Sequence, residues 1–386
     1  MKRLPLIILS IALILLVALW PRPGITNSGK ASVEWLTAQK AESSARFARV
    51  TDPKTLKFPQ DLGPHEDYQT EWWYYTGNLE TESGREFGYQ LTFFRRALTP
   101  ETATVENASD WRSNQIYFSH FTISDIENQT FYPHERFSRQ SAALSGAQAQ
   151  PYRVWLENWS ATEVAPGKVH LVANADDVSL DLTLTETLPP VLQGDRGYSK
   201  KGPEAGNASY YYSIVQQQAQ GTVTVADESF NVSGLTWKDH EYSTSALSPG
   251  TVGWDWFSLQ LDDGSALMLY GLRLDNGDIA DVSAGKYISA NGKTQTLNHT
   301  DWKIDVLDTW QSPISKANYP ARWHIEIPKL NLVLDGKPLM PNQELEFART
   351  YWEGAVSFTG TLADHLVNAK GYVEMTGYAD RLDAVL

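Results

Sequence analysis

A chain of 386 residues exceeds what one hydrophobic core usually serves, so two domains are the default expectation. Lys and Arg total 32 against 46 Asp and Glu, and the resulting net charge of −14 argues against nucleic acid as a partner. There is no cysteine, which excludes disulfide staples and a lipidated-cysteine anchor and leaves packing and strand pairing to hold the fold.

Residues 4–20 are an almost unbroken apolar run behind Lys2 and Arg3, the order of an export signal. At ~1.5 Å per residue the run is at the short end of what crosses a bilayer core of ~30 Å. No small-x-small cleavage site precedes Pro21-Arg22-Pro23, which favours an uncleaved anchor in the inner membrane. Lys2 and Arg3 then stay cytoplasmic and the remainder is periplasmic or otherwise extracytoplasmic; secretion after cleavage is the alternative. We divide the chain into a signal or anchor helix (1–24), a polar spacer with a short helix (25–54), and two domains (55–242 and 243–386).

Past Phe58 the pattern is β. Aromatic residues make up 12% of the chain, and runs such as 86–95, 115–123, 168–174 and 178–185 alternate or are rich in aromatics, with Gly, Asn and Asp between them. Further strands are expected at 208–216, 219–226 and 229–237. The stretch 188–207, with Lys200 and Lys201, reads as a long loop or mouth flap, and 238–252 as a second loop. No long helical period intervenes, so closed antiparallel barrels are expected. An internal repeat supports two of them: Trp73-Tyr74-Tyr75, the Gly84 turn and the run Tyr89 to Arg95 are echoed by Trp256-Phe257-Ser258, Gly264 and the run Leu267 to Arg273.

The run 58–78 (FPQDLGPHEDYQTEWWYYTGN) with 87–95, together with 236–243 (TWKDHEYS), 253–261 (GWDWFSLQL) and 371–378 (GYVEMTGY), resembles the AttH and carotenoid 1,2-hydratase-like family from about residue 55 onward. The resemblance implies an all-β fold of two tandem lipocalin-like antiparallel barrels behind the N-terminal hydrophobic helix, and for the AttH branch an association with ABC-type exporters. The family's enzymes hydrate a terminal double bond of an acyclic carotenoid, and more distant ones resemble polyene cyclases. An apolar ligand is the common theme.

Protonating an unactivated alkene needs a carboxylic acid that burial keeps neutral. Asp255, between Trp254 and Trp256, is the candidate acid, although the two-residue period of a strand turns its flanking tryptophans to the opposite face. Aromatic faces from Trp72, Trp73, Trp237, Trp254 and Trp256 are candidate ligand contacts and cation stabilisers. His240 is the candidate base or orienter, itself oriented by a neighbouring carboxylate or by Asp255, with Tyr242 retaining the aromatic character the hydratase branch carries two positions later. The same Asp255 and His240 can instead form a buried hydrogen-bonded pair fixing the interface between barrels.

Glu71 with the Arg95-Arg96 pair reads as structural, an arginine closing its barrel by packing on tryptophan. His65-Glu66-Asp67 and His134-Glu135 carry metal-ligand residue types without a ligand spacing, and neither a metal nor another cofactor is expected. No nucleophile elbow, P-loop or dinucleotide fingerprint occurs. Two readings stand: a carrier that binds or hands over an apolar lipid- or isoprenoid-like molecule, working with exporter permease subunits, and a hydratase- or cyclase-like enzyme using Asp255 and His240.

Overall fold

The computed structural model describes residues 46–100, 113–245 and 247–381. The expected anchor and most of the spacer lie outside them. Among the described residues no helix is long and apolar enough to cross a membrane.

Two antiparallel sheets account for the fold: a 13-stranded sheet between Thr70 and Ser243, and a 10-stranded sheet between Thr251 and Met375. Each curls around its own core. The first core holds Trp73, Tyr75, Leu91, Phe93, Tyr117 and Leu182; the second holds Phe257, Leu259, Trp323, Trp352 and Phe358. At the open side of the first sheet Arg136 bridges to the carbonyl of Asn174 at 2.9 Å and lies over the Trp159 ring, tying one edge strand to the far side of the curl.

The outer faces of the two sheets pack on each other, and that contact positions the functional site. In the strand Thr70–Glu80 alternate residues Trp73, Tyr75 and Leu79 enter the first core, while Tyr74 and Trp72 join a third cluster with Tyr211, Trp237, Trp256, Met268 and Tyr372. Both faces of this strand are buried, which is why it reads as a continuous aromatic run with no polar alternation. Gly88 marks how closely the sheets approach: a Cβ there would lie 2.7 Å from the Tyr372 hydroxyl and 2.8 Å from Ala355 Cβ.

Three local expectations change. The stretch 238–252 is not a loop through its length, because the strand Glu228–Ser243 runs on to Ser243 and only 244–250 connect the sheets. Its charged alternation resembles a solvated segment, yet Lys238, Asp239, His240 and Glu241 are all buried. The stretch 188–207 carries two short strands, Val191–Leu192 and Tyr198–Lys200, both paired with the long strand Ala208–Val225, which joins two expected strands through a bulge at Ile214/Gln217. The internal repeat is offset by one residue: Trp73 points into the first core but Trp256 points between the sheets, so the inward counterpart of Trp73 is Phe257.

Gly88→Val is expected to lower stability by about 1–3 kcal/mol through overpacking between the sheets. Chemical denaturation measures this, and an unchanged midpoint would mean the sheets are free to separate there.

Candidate functional site

Strand register alone assembles the layer between the sheets. In the second sheet Tyr270 opposes Trp256, Trp256 opposes Glu374, and Glu374 opposes Glu353, forming one row across four neighbouring strands on one face. In the first sheet Tyr74 opposes Asp239 and Trp72 opposes Glu241, again on the face turned to the partner sheet. Two aromatic and acidic rows therefore meet. They are joined by Trp256 Nε1 donating to the Tyr211 hydroxyl at 3.2 Å, while Tyr211 donates to Asp239 Oδ2 at 2.8 Å.

Asp239, Glu241, Glu353 and Glu374 sit in this layer, and burial raises the carboxyls of Asp239, Glu353 and Glu374. Asp239 accepts from Trp237 Nε1 at 2.8 Å and from Ser213, yet burial outweighs these bonds and pushes its carboxyl up to about 7. Burial, with Asp239 and Glu241 nearby, lifts Glu374 to about 7 even though Trp254 Nε1 donates to it at 3.2 Å. Glu353 is raised furthest, by burial and then by Glu374 directly across the strand pair. Like charges opposed on adjacent strands repel, so the pair is accommodated by holding a proton. The hydroxyls of Tyr74 and Tyr351 lie beside the Glu353 carboxyl and oppose its rise. The layer reaches solvent through half-buried Trp72, Trp254, Tyr270 and Glu374.

The expected acid and base are not brought together. Asp255 shares a strand face with Phe257 and Leu259 and so looks into the second sheet, where Arg273 Nε donates at 3.1 Å and the Tyr378 hydroxyl at 3.1 Å. Burial raises its carboxyl, and Arg273 and Tyr378 oppose the rise. His240 looks into the first sheet, stacked on Trp73 with ring centroids 4.9 Å apart. Its orienting carboxylate is neither chain neighbour nor Asp255: Asp239 and Glu241 alternate to the opposite face, and the partner is Glu71 Oε1 at 2.8 Å, with the Tyr212 hydroxyl 2.9 Å from Nδ1. Burial pulls the His240 imidazole down to about 4, against the pull of Glu71, so the ring is neutral near neutral pH. Tyr242 closes the same end, stacked on His65 at 3.5 Å and hydrogen-bonded to Asp61 at 3.2 Å. Of the five tryptophans, Trp73 belongs to the first core, and Trp72, Trp237, Trp254 and Trp256 line the layer.

Arg95 closes the first sheet as expected, but by hydrogen bonds and not on a tryptophan: its guanidinium donates to Glu71 Oε2 at 2.9 Å, Gln115 Oε1 at 2.8 Å and the carbonyls of His65 and Tyr68. Arg96, one residue on, reaches Thr70 at 3.4 Å. Burial pushes the Glu71 carboxyl up, and Arg95, His240 and His65 reverse this so that it stays well below the usual range. His65, Glu71 and His240 hold three ligand-type atoms within 4.8 Å of one another. A cation there would displace the hydrogen bonds from both histidines to Glu71 Oε1 and sit beside the Arg95 guanidinium.

Sequence reading passed over Asp239, Glu241, Glu353 and Glu374 as site residues. Asp239 and Glu241 stand beside His240 in the motif quoted for it and Glu374 stands within 371–378, so the residues were visible and their facing was not.

Comparison with known proteins gives four findings. The family model described as AttH-like matches residues 49–378. A crystal structure of an AttH protein from Nitrosomonas europaea superposes with a TM-score of 0.76 at 34% identity, covering 86% of this chain and 99% of that one. Kievitone hydratase of Fusarium solani subsp. phaseoli is 24% identical over 212 residues, 53% of this chain and 58% of that protein. Dehydratase asqC of Emericella nidulans is 24% identical over 173 residues, 43% of this chain and 48% of that protein. The chain thus spans about half the length of the curated relatives it matches.

Two stability measurements test the electrostatics. The raised carboxyls of Asp239 and Glu374 keep protons that the unfolded chain releases above about pH 4, so their stabilising effect is lost as pH climbs from about 4 toward about 7. Glu374→Gln is expected to raise the melting temperature relative to wild type at about pH 8 and not at about pH 4. A pH-independent difference contradicts the assignment. Arg95→Met strands the Glu71 charge and is expected to cost about 3–5 kcal/mol in urea denaturation near neutral pH; a loss below ~1 kcal/mol would show that the histidines alone satisfy Glu71.

Proposed function

This chain belongs to the AttH-like family, and from that premise we propose that it acts as a hydratase or dehydratase, moving water onto or off a carbon–carbon double bond of an apolar substrate held between its sheets. Two curated relatives carry hydratase and dehydratase in their names, which supports the reaction class. The observation that carries the reading is the cross-strand pair of buried Glu353 and half-buried Glu374, one well above the usual carboxylate range and the other near 7.

Such a pair separates acid from base. Neutral Glu353 donates its proton to one alkene carbon, and the π electrons form the new C–H bond. The positive charge left on the neighbouring carbon faces Trp254, Trp256 and Tyr74, at ~0.5–2 kcal/mol per well-placed ring. Water adds to that carbon and Glu374 takes the released proton. Transfer within the pair restores the starting state, and the reverse sequence dehydrates an alcohol. Asp255 is the weaker acid candidate, because Arg273 favours its charged form and its side chain faces the other core. Neutral His240 holds Tyr212 and Glu71 in place at the closed end of the first sheet.

Incubation with kievitone, followed by mass spectrometry in ¹⁸O-labelled water, tests the proposal. A product heavier by one labelled water is expected, with Glu353→Gln slowing its formation at least ~100-fold and Asp255→Asn leaving the rate within a few-fold. Full activity in Glu353→Gln, or its abolition in a folded Asp255→Asn, sinks this assignment. Ligand retained and returned unchanged by wild type would favour the carrier reading.

A further inference from the structure

We infer that Glu135, His120 and Tyr351 form a proton relay between solvent and Glu353. The inference rests on the reading of Glu353 as the proton donor of the proposed reaction, and it adds the route by which that carboxyl is reloaded.

Strand register builds the relay. His120 and Glu135 stand directly opposite each other on the strands Gln115–Asp125 and Thr130–Arg139. Alternation sends Phe121 and Ile123 into the first core and turns His120 to the face that meets the second sheet. There its Nδ1 lies 2.7 Å from the hydroxyl of Tyr351, a residue 231 positions away in the chain. On the other side of the ring, Nε2 lies 3.3 Å from Glu135 Oε1. Tyr351 and Glu353 are two residues apart on the strand Thr350–Leu362 and so share a face, where the hydroxyl lies beside the carboxyl.

The two ends of this series differ in access to water. The Glu135 side chain is 24% exposed against 9% for His120, and Glu353 is 1% exposed. The rings of Phe94, Phe118 and Phe347 surround the imidazole, with centroids 5.1, 5.8 and 4.6 Å from its own. Packing alone would be served there by another apolar ring, so the polar contacts at both nitrogens are what call for histidine. Gln90 Nε2 donates to the Tyr351 oxygen at 3.4 Å, which leaves the hydroxyl proton for His120 Nδ1 or for Glu353. Tyr351 therefore links the two.

After Glu353 has protonated substrate it is a carboxylate. The Tyr351 hydroxyl proton passes to it, the Tyr351 oxygen takes the Nδ1 proton of His120, and Nε2 takes a proton from Glu135, which regains one from water. Each relay group loses one proton and gains one, so the net change is one proton moved from solvent to Glu353. The imidazole is left with its proton on Nε2, and the reverse hops, which dehydration uses, return it to Nδ1. Half-buried Glu374 exchanges with solvent at the rim, so a proton that it takes from water and loses there is replaced on Glu353 by this second route.

Exchange of the Glu353 proton for a deuteron tests the relay without substrate. The full chain is mixed rapidly into heavy water at about pH 9, where Asp239 and Glu374 have ionised, and the protonated-carboxyl infrared band is followed as it shifts. His120→Gln keeps an amide in reach of Tyr351 but passes no proton, and it is expected to slow the shift about tenfold or more, as is Tyr351→Phe. Glu135→Gln, at the surface, should slow it by a smaller factor. Circular dichroism and melting temperature establish that each variant is folded. A purely structural role would loosen the packing and speed exchange. Exchange in folded His120→Gln and Tyr351→Phe as fast as in wild type, or faster, overturns the inference and assigns the route to Glu374 or to opening of the sheets. Hydration with unslowed exchange in these variants would remove this inference alone. Relay-dependent exchange without hydration would remove the proposed reaction alone, and absence of the wild-type band would remove both.

Discussion

Glu353 and Glu374 face each other on neighbouring strands, shut between two aromatic layers, and the character of the molecule's centre follows from that constraint. Like charges at facing positions of adjacent strands repel, and burial adds to the cost of ionising Glu353, so its protonated form is favoured. Burial, then Glu374 across the strand pair, raises Glu353 well above the usual carboxylate range, burial lifts Glu374 to about 7, and the surrounding indoles and phenols become useful as partners for positive charge. The sheets approach closely at Gly88, and the layer reaches solvent at its rim.

Charge is treated in the opposite way inside each curled sheet. Glu71 and Asp255 each accept from an arginine of the following strand, Arg95 directly across from Glu71 and Arg273 across from Gly253, and each carboxylate is held by further donors. These are closures: a buried acid, a guanidinium and a ring of hydrogen bonds that seal one end. Glu71 and Asp255 inside the sheets are therefore paired with cations, and the acids between the sheets are held mainly by hydroxyl and indole donors. The contrast directs attention to the inter-sheet layer as the reactive part of the molecule.

Strand-forming runs, the two-sheet plan and the closing arginines were legible because they depend on local pattern: aromatic and β-branched periodicity, turn residues, and an arginine at the end of each entry hairpin. Partner choice was not. His240 stands between Asp239 and Glu241 in sequence, but the pleat sends both carboxylates to the far face, and the carboxylate that holds His240 comes from Glu71, 169 residues away. Glu353 sits in a strand whose alternation could as well belong to a solvated face, and only register with the next strand sets it against Glu374. The same pleat that separates Trp254 and Trp256 from Asp255 was readable in advance, and it correctly put the tryptophans and that acid on opposite sides.

Infrared difference spectroscopy in heavy water tests the central claim most directly, because a protonated carboxyl absorbs apart from carboxylate and backbone amide bands. A protonated-carboxyl band is expected to persist in the wild-type protein at about pH 9, where Asp239 and Glu374 have ionised, and to disappear at that pH in a folded Glu353→Gln variant. Absence of that band in wild type at about pH 9, or its persistence unchanged in Glu353→Gln, would contradict a protonated Glu353.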